Sequence, residues 1–460
     1  MALHLTAPVH RGMMDLDRDA FKLSVPLIGA RVPGAETSTF LKADALKKQV
    51  LREPRLRNVV YHEGEDDRIV LFNVCKEDDL AADAREFLKS HGAELVPYTL
   101  NLDYDYWTRE QILNAILPDN LVADAPSAFT ITGHLAHYNL RDEFLPYKHL
   151  VGELTLDKNS NLRTVVNKLD SIDTQFRFFK MELLAGDPDY VVEVHEAGCS
   201  FTFDFSGVYW NSRLHTEHER LVALFQPGEV VADAFAGVGP FAIPAAKNRR
   251  CLVYANDLNP QSVRWLQENV KKNKVDPLVE VTESDGRHFI QRIFKSAWKN
   301  PMQEPPPFKT AKQRAKERHD RSAAVLGAAA ATSVAASPPV APSAEPRRDL
   351  RRVHHVVMNL PDSALTFLDA FRGVLNIPEV PRSEIEAVYA EMPMVHVHCF
   401  TRELVEEAAK ADLSAVIQRA QQYLGAPLPN DAVFHLVRSV APNKEMYCIS
   451  FRLPNSVAFA

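Results

Sequence analysis

The stretch from Val230 to Lys247, VVADAFAGVGPFAIPAAK, constrains this chain more than any other. Apolar residues run into Asp233, two small residues flank Phe235, Gly237 and Gly239 bracket Val238, and a run of Ala, Ile and Pro resumes the apolar pattern. Glycine permits backbone angles and close approaches that a side chain would block, so this order reads as a buried strand, a tight turn and the start of a helix. In a doubly wound sheet the crevice beside such a turn opens at the carboxyl ends of the strands, where backbone N–H groups at a helix start face a ligand.

A single glycine turn decides little, and the following strands carry the argument further. Cys251 to Pro260, CLVYANDLNP, is a second apolar run ending in Asp257, about twenty residues after the first turn, where this architecture places an acid on a ribose diol. Val279 to Phe289 ends a third run in Asp285 and Gly286, and Val353 to Ala364 stops at Asn359-Leu360-Pro361. Four strand ends thus carry polar groups aimed one way. The dinucleotide fingerprint would demand G-x-G-x-x-G, whereas Asp-x-Phe-Ala-Gly-x-Gly-Pro-Phe stands here. The set resembles the class I S-adenosylmethionine-dependent methyltransferases, which implies an α/β, Rossmann-like domain, here preceded by smaller α+β domains, with S-adenosyl-L-methionine as cofactor.

At 460 residues the chain is too long for one core and implies roughly two to four domains. Hydrophobic residues at 46% and charged residues at 25% are globular values. No apolar run approaches a membrane span, so no membrane partner is expected. The five cysteines are scattered, with neither metal-ligand spacing nor a disulfide framework, which points to a reducing compartment and no metal. A net charge of −7 neither supplies nor forbids the local positive potential that nucleic acid needs. Basic clusters stand at Lys47 to Arg57, Lys271 to Lys274, Lys309 to Arg321 and Arg347 to Arg352; taken singly, each reads first as a solvated face.

Taken in order, residues 1 to 119 read as a mixed domain, with a helix over Ala43 to Glu53, strands at Asp67 to Val74 and Glu94 to Tyr98, and a helix between them at Ala81 to Ser90. The N-terminus lacks both a secretory h-region and the acid-poor character of a mitochondrial presequence. Residues 120 to 205 read as a compact α+β module: a strand over Phe129 to His137, a helix at Arg163 to Leu169, and a hairpin of Tyr190 to His195 with Cys199 to Asp204. Residues 206 to 460 form the cofactor domain, interrupted at about 300 to 348 by a proline-, alanine- and charge-rich insertion that cannot bury a core. Beyond it we expect a helix at Ala364 to Phe371, a strand at Met394 to Phe400, an amphipathic helix from Glu403 to Tyr423 and a closing hairpin through Pro442-Asn443. His396 and His398 share a strand face and, without accompanying acids or cysteines in a metal pattern, read as core.

Gly133-His134-Leu135, Asn139 to Glu143, Pro146-Tyr147-Lys148, Arg177 and the run Val208 to Arg220, VYWNSRLHTEHER, resemble the eukaryotic and archaeal tRNA (guanine-37, N1) methyltransferases. The N-terminal third matches more loosely, at Arg11-Gly12-Met13 and Leu16-Asp17-Arg18. The resemblance implies methyl transfer to N1 of the guanine just 3′ of the anticodon. Guanine N1 carries a proton at neutral pH, and charge builds on O6 once it leaves, so a base and a cation are wanted together. The resemblance puts the base at Glu217, through the spacing from Arg213, with Glu219 the competitor by residue type, and puts the O6 contact at Arg177. A bland alternative pairs Glu217 with Arg213 along the helix.

By the same resemblance His218, Asp257, Leu258, Asp285 and Gly286 touch the cofactor, joined by Asp233, Phe235, Gly237, Gly239 and Asn259 of the turns and by Asn359, which with Pro361 also shapes the reaction pocket. The partner is a tRNA with guanine at position 37, and a cytosolic monomer without an obligate protein partner is expected, mitochondrial and nuclear pools being left open. Two rivals remain: a wybutosine-pathway aminocarboxypropyl transferase on the same fold and tRNA region, and a non-catalytic tRNA-binding protein. Arg177, Glu217 and Asn359-Leu360-Pro361 fit a proton-removing methylation, and intact acids at the strand ends argue against a dead site.

Overall fold

A computed structural model describes residues 5–61, 66–172, 179–303, 349–401, 413–441 and 444–460. Its chain divides into two units, Met1–Asp170 with Lys180–Asp189, and Ser171–Phe179 with Tyr190–Ala460. Arg177, most of the insertion, the first half of the expected helix from Glu403 and the turn at Pro442-Asn443 lie outside the described residues.

In the first unit β1 (Leu23–Pro33), β2 (Val59–Tyr61), β3 (Asp67–Leu71) and β4 (Glu94–Leu102) form an antiparallel sheet of order β2-β3-β1-β4. Alternation along β1 sends Ala30 and Val32 into one core with Phe40, Phe72 and Leu88, and Leu27 into another with Phe21 and Trp107. The helix Ala82–Ser90 stands where the sequence puts it. The expected helix over Ala43 to Glu53 does not form: a helix covers Thr37–Lys42, residues 44–49 turn, and Val50 bridges Phe72. Leu46, Val50 and Leu51 are buried at helix-like spacing, but the edge of β3 takes the backbone, with the Leu51 N–H donating to the Leu71 carbonyl at 2.9 Å.

The second core of this unit runs past residue 119, joining Trp107 and Ile112 to Tyr138, Phe144 and Leu154. A helix at Arg109–Ile116 starts on a capping box of Thr108 and Gln111, and buried Arg109 donates to the Tyr138 hydroxyl at 2.9 Å and the Ser127 carbonyl at 2.6 Å. Here β5 (Thr130–Thr132), β6 (Leu135–Tyr138), β7 (Thr164–Ile172) and β8 (Phe179–Gly186) make a second sheet in that order. Two expectations are corrected. The single strand over Phe129 to His137 is a hairpin folded at Gly133, whose φ is +59°. The helix at Arg163 to Leu169 is β7, because β-branched Thr164, Val165 and Val166 pack in a parallel ladder against β6. Arg11 and Arg18, in the loosely matching N-terminal motifs, hold this unit together: Arg11 donates to the Leu117 carbonyl at 2.9 Å and Arg18 to Asp157 at 2.8 Å.

The second unit opens with the expected hairpin, β9 (Val191–Glu196) and β10 (Cys199–Asp204), turning through Ala197 and Gly198 at φ 49° and 71°. Asn269 and Asn273 bind its backbone at Thr202 and Ser200, each both donating and accepting. Its main sheet contains β11 (Val230–Asp233), β12 (Leu252–Asp257), β13 (Val279–Glu283), β14 (His355–Met358), β15 (Met394–Phe400), β16 (Val433–Ala441) and β17 (Lys444–Arg452). The order is β13-β12-β11-β14-β15-β17-β16, parallel except at β17, which runs antiparallel to both β15 and β16. From β11 the chain steps one way to β12 and β13 and then returns to the other side at β14, so a topological switch point opens at the end of β11. This is the Rossmann-like α/β fold read from the sequence. Ala364–Phe371 winds as a 3₁₀ helix, and Leu413–Leu424 is α-helical. Among the described residues no helix is long and apolar enough to cross a membrane.

Candidate functional site

Every residue of β11 is buried, and the chain leaves it through Ala234 to Pro240 into a helix at Ala242–Arg249. Gly237 and Gly239 both have positive φ, +54° and +102°, but they serve different ends. A Cβ on Gly239 would sit 2.7 Å from both Ile243 and Leu266, so that glycine allows close packing; one on Gly237 would meet nothing within 4 Å, so that backbone faces open space. Asp257, at the end of β12, accepts from the Gly237 N–H at 2.8 Å with one oxygen and from the Asn259 N–H at 2.9 Å with the other. One carboxylate thereby sets the turn after β11 and the entry to the next helix, Pro260–Lys272, whose N-cap is Asn259. Burial raises the Asp257 pKa, against these backbone donors.

Asp233 is fully buried, accepts from the Phe235 N–H at 3.3 Å, and leaves Oδ2 without a hydrogen-bond partner among the described residues. Burial pushes its pKa up to about 7. Asp285 caps the helix Gly286–Lys299, accepting from Arg287 and His288 backbone N–H groups, and a Cβ on Gly286 would strike the Phe235 ring at 2.5 Å. Leu258 is an exposed apolar residue at the same edge, 42% accessible. After β14, Asn359 has a buried Oδ1 with no hydrogen-bond partner among the described residues, while the Pro361 carbonyl accepts from Phe400 at 3.1 Å and Leu360 from Ser363 and Ala364, which fixes the turn. Two orphaned oxygens and one open glycine at the ends of adjacent strands are what a polar ligand would satisfy.

Glu217 lies on the helix His215–Leu224 and is only 2% exposed, whereas Glu219 is exposed. It does not pair with Arg213: Arg220 grips it with Nε at 2.6 Å and a second nitrogen at 2.8 Å, His398 Nε2 donates to Oε1 at 2.8 Å, and His435 Nε2 lies 3.6 Å from Oε2. Burial alone would raise the Glu217 pKa, but Arg220 and His398 pull it down to about 2. Burial opposes protonation of His398 as well, yet Cys448 and Glu217 outweigh it and raise its pKa to about 10. Burial and the Arg220 cation lower that of His435. Ligand atoms of Glu217, His398 and Cys448 lie within 4.8 Å of one another, but both Glu217 oxygens are taken by a guanidinium, a poor setting for a metal cation.

His218 follows Glu217, pairs through Nδ1 with Glu196 and packs edge-on against Phe241 at 4.7 Å, just beyond the glycine turn. His396 keeps the core role read from sequence, bonding His355 at 3.0 Å and Ser450 at 2.8 Å. His398, Arg220 and His435 are the residues that sequence reasoning missed around Glu217. The alternation of His396 and His398 on β15 was a signal, but the acid that gives His398 its meaning stands 181 residues away.

The sequence model of the TRM5/TYW2 methyltransferase domain matches residues 192–297, and that of the TYW2 N-terminal domain matches residues 109–189. A protein of Coprinopsis cinerea named tRNA (guanine(37)-N(1))-methyltransferase is 50% identical over 99% of this chain and 98% of its own length. Proteins of the same name from Cryptococcus neoformans and Saccharomyces cerevisiae are 44% and 39% identical, each over 98% of this chain and over 88% and 94% of their own lengths. Among solved structures, aTrm5 in complex with tRNALeu aligns with a TM-score of 0.58 at 17% identity over 93% of this chain and all of that one. Trm5b from Pyrococcus abyssi aligns with a TM-score of 0.53 at 20% identity, over 92% and 98%. At these identities the structures speak to fold.

Proposed function

This chain belongs to the tRNA (guanine(37)-N(1))-methyltransferase family, and we propose that it transfers a methyl group from S-adenosylmethionine to N1 of the guanine at position 37 of tRNA. The observation that carries this reading is the half-identical relative of that name, matched over nearly the whole of both chains. The strand-end groups fit the cofactor: Asp257 and Leu258 would hold its ribose and adenine, Asp285 with Gly286 and Phe235 the far side of the adenine, and Asp233, Gly237, Gly239, His218 and Asn259 the methionine end and its surroundings. When bound, the cofactor supplies an electrophilic methyl on a sulfonium.

The chain's own groups do the rest. Glu217 takes the N1 proton, for which it must be ionised, and Arg220 and His398 hold its carboxyl below the usual range and so in that form at neutral pH. Arg177 neutralises charge on O6, and Asn359 and Pro361 fix the base's edge. Residues 1–119 read the shape of the tRNA, and the protein acts as a monomer in the cytoplasm; sedimentation of the free chain, and imaging of the tagged protein, which also reports any mitochondrial or nuclear pool, test these two points.

The match of residues 109–189 to a TYW2 domain gives the aminocarboxypropyl rival a specific footing. Unmodified tRNA with guanine 37 is therefore incubated with cofactor labelled separately in its methyl and aminocarboxypropyl groups. Label from the methyl alone, in 1-methylguanosine, is expected. Aminocarboxypropyl transfer to tRNA carrying the tricyclic base, with none to guanine, would move the chain to the rival; binding without either product would leave a non-catalytic tRNA binder.

A further inference from the structure

Methylation at N1 sets one proton free for each turnover, and a buried carboxylate that receives it must pass it on. Glu217 is touched by two histidines of opposite character. His398, on β15, is fully buried and already holds its proton against Glu217. His435, on edge strand β16, stands 3.6 Å from Glu217 Oε2 with its side chain 41% exposed. Among the described residues, the other charged or titratable groups facing His435 are Arg220, beside Glu217 on its helix, and Cys448, its register partner on β17. Burial, Arg220 and protonated His398 all disfavour an imidazolium at His435, against the pull of Glu217, so neutral His435 can accept a proton.

We infer that His435 is the proton exit of this site, relaying to solvent the proton that Glu217 takes from guanine N1. The inference rests on the assignment of Glu217 as base. In balance, the N1–H bond breaks as the N1–methyl bond forms and the sulfur–methyl bond breaks. The proton moves to Glu217, then from Oε2 to His435 Nε2 once the 3.6 Å between them closes to hydrogen-bond distance or is bridged by a water, while His435 Nδ1 gives up its own proton to water, so the sulfonium charge leaves as a solvated proton. The second transfer runs from a carboxylic acid to an imidazole and is downhill. His435 acts through Glu217 and needs no contact with the tRNA.

The test is single-turnover methylation of guanine-37 tRNA from about pH 5.5 to 8.5, with His435→Ala and His435→Asn, each with and without added imidazole, and with cofactor affinity measured alongside. Both variants are expected to keep cofactor affinity and slow methyl transfer about ten-fold or more, with the gap to wild type closing at the acid end, where His435 itself takes up a proton, and imidazole is expected to restore His435→Ala. A wild-type rate and pH profile in both variants overturns the proton exit, as does a slowed rate that imidazole leaves unmoved in both. If the alanine variant loses cofactor binding, the His435→Asn profile decides alone. Glu217→Gln separates the two claims: a fully active Glu217→Gln removes the base itself, whereas an inactive Glu217→Gln beside an unaffected His435→Ala removes only the exit.

Discussion

His398 Nε2 donates to Glu217 Oε1 at 2.8 Å, joining β15 to the helix that precedes the glycine turn, and both side chains are almost wholly buried. With the Arg220 fork on the same carboxylate, the position of Glu217 is fixed from two elements. Removing one member of such a set strands a buried charge, which typically costs about 3 kcal/mol.

The pH dependence of that set follows from its two shifts. Glu217 has a folded pKa below its ordinary 4.5, so its contribution is present above 4.5 and is lost as pH falls toward about 2. His398 has a folded pKa above its ordinary 6.5, so its contribution is full below 6.5 and fades as pH rises through about 10. Denaturant unfolding of wild type and His398→Gln should therefore show the larger difference at about pH 5.5 and a clearly smaller one near pH 9.5. An equal difference at both would mean that His398 is neutral in the folded chain.

Asp233 behaves in the opposite sense. Its folded pKa of about 7 exceeds the ordinary 3.8, so the folded state binds the extra proton and loses stability as pH rises between the two. Asp233→Asn should raise the Tm of the cofactor-free protein by a few degrees at neutral pH, with a gap that narrows toward pH 5, and should weaken cofactor binding. A lower Tm at neutral pH would show that the carboxylate is ionised and satisfied.

The glycines separate packing from ligand approach. Gly286→Ala must displace the Phe235 ring from its edge contact with Phe367 at 5.0 Å, so it should lower both Tm and cofactor affinity. Gly237→Ala meets no atom within 4 Å and bears only a left-handed φ, which costs about 1–2 kcal/mol. Its cofactor affinity should fall by more than its stability does. Thermal scans with and without S-adenosylmethionine check both, and equal losses in Gly237→Ala would remove that backbone from the cofactor site.

The first unit carries two cores of its own. If it reads tRNA shape, activity on an isolated anticodon stem-loop should fall well below that on whole tRNA, because a whole extra domain is more than contact with one nucleotide requires. Equal kcat/KM on the two substrates would assign it another task.

The catalytic fold was legible because its strands are short apolar runs closed by acids or amides, a pattern that survives without tertiary context. Asp257 and Asp285 could be placed at strand ends from their flanks alone. Residues 163–169 could not, since Thr164 to Val166 sit among polar residues that suit a helix equally, and only the ladder with β6 selects a strand. Val50 and Leu51 were misread for the same reason, their spacing fitting a helix until β3 offers an edge. The setting of Glu217 was the least legible part, because Arg220 is near in sequence while His398 and His435 arrive from two distant strands that only the sheet order brings together.

The central claim is that Glu217 removes the N1 proton during methyl transfer. Single-turnover formation of 1-methylguanosine by Glu217→Gln, at saturating tRNA and cofactor, tests it most directly, with cofactor affinity and Tm recorded on the same sample. A rate lower by about 10²-fold or more with cofactor affinity intact is the predicted result. A rate within a few-fold of wild type would contradict the account and return Glu217 to a purely structural pairing with Arg220 and His398.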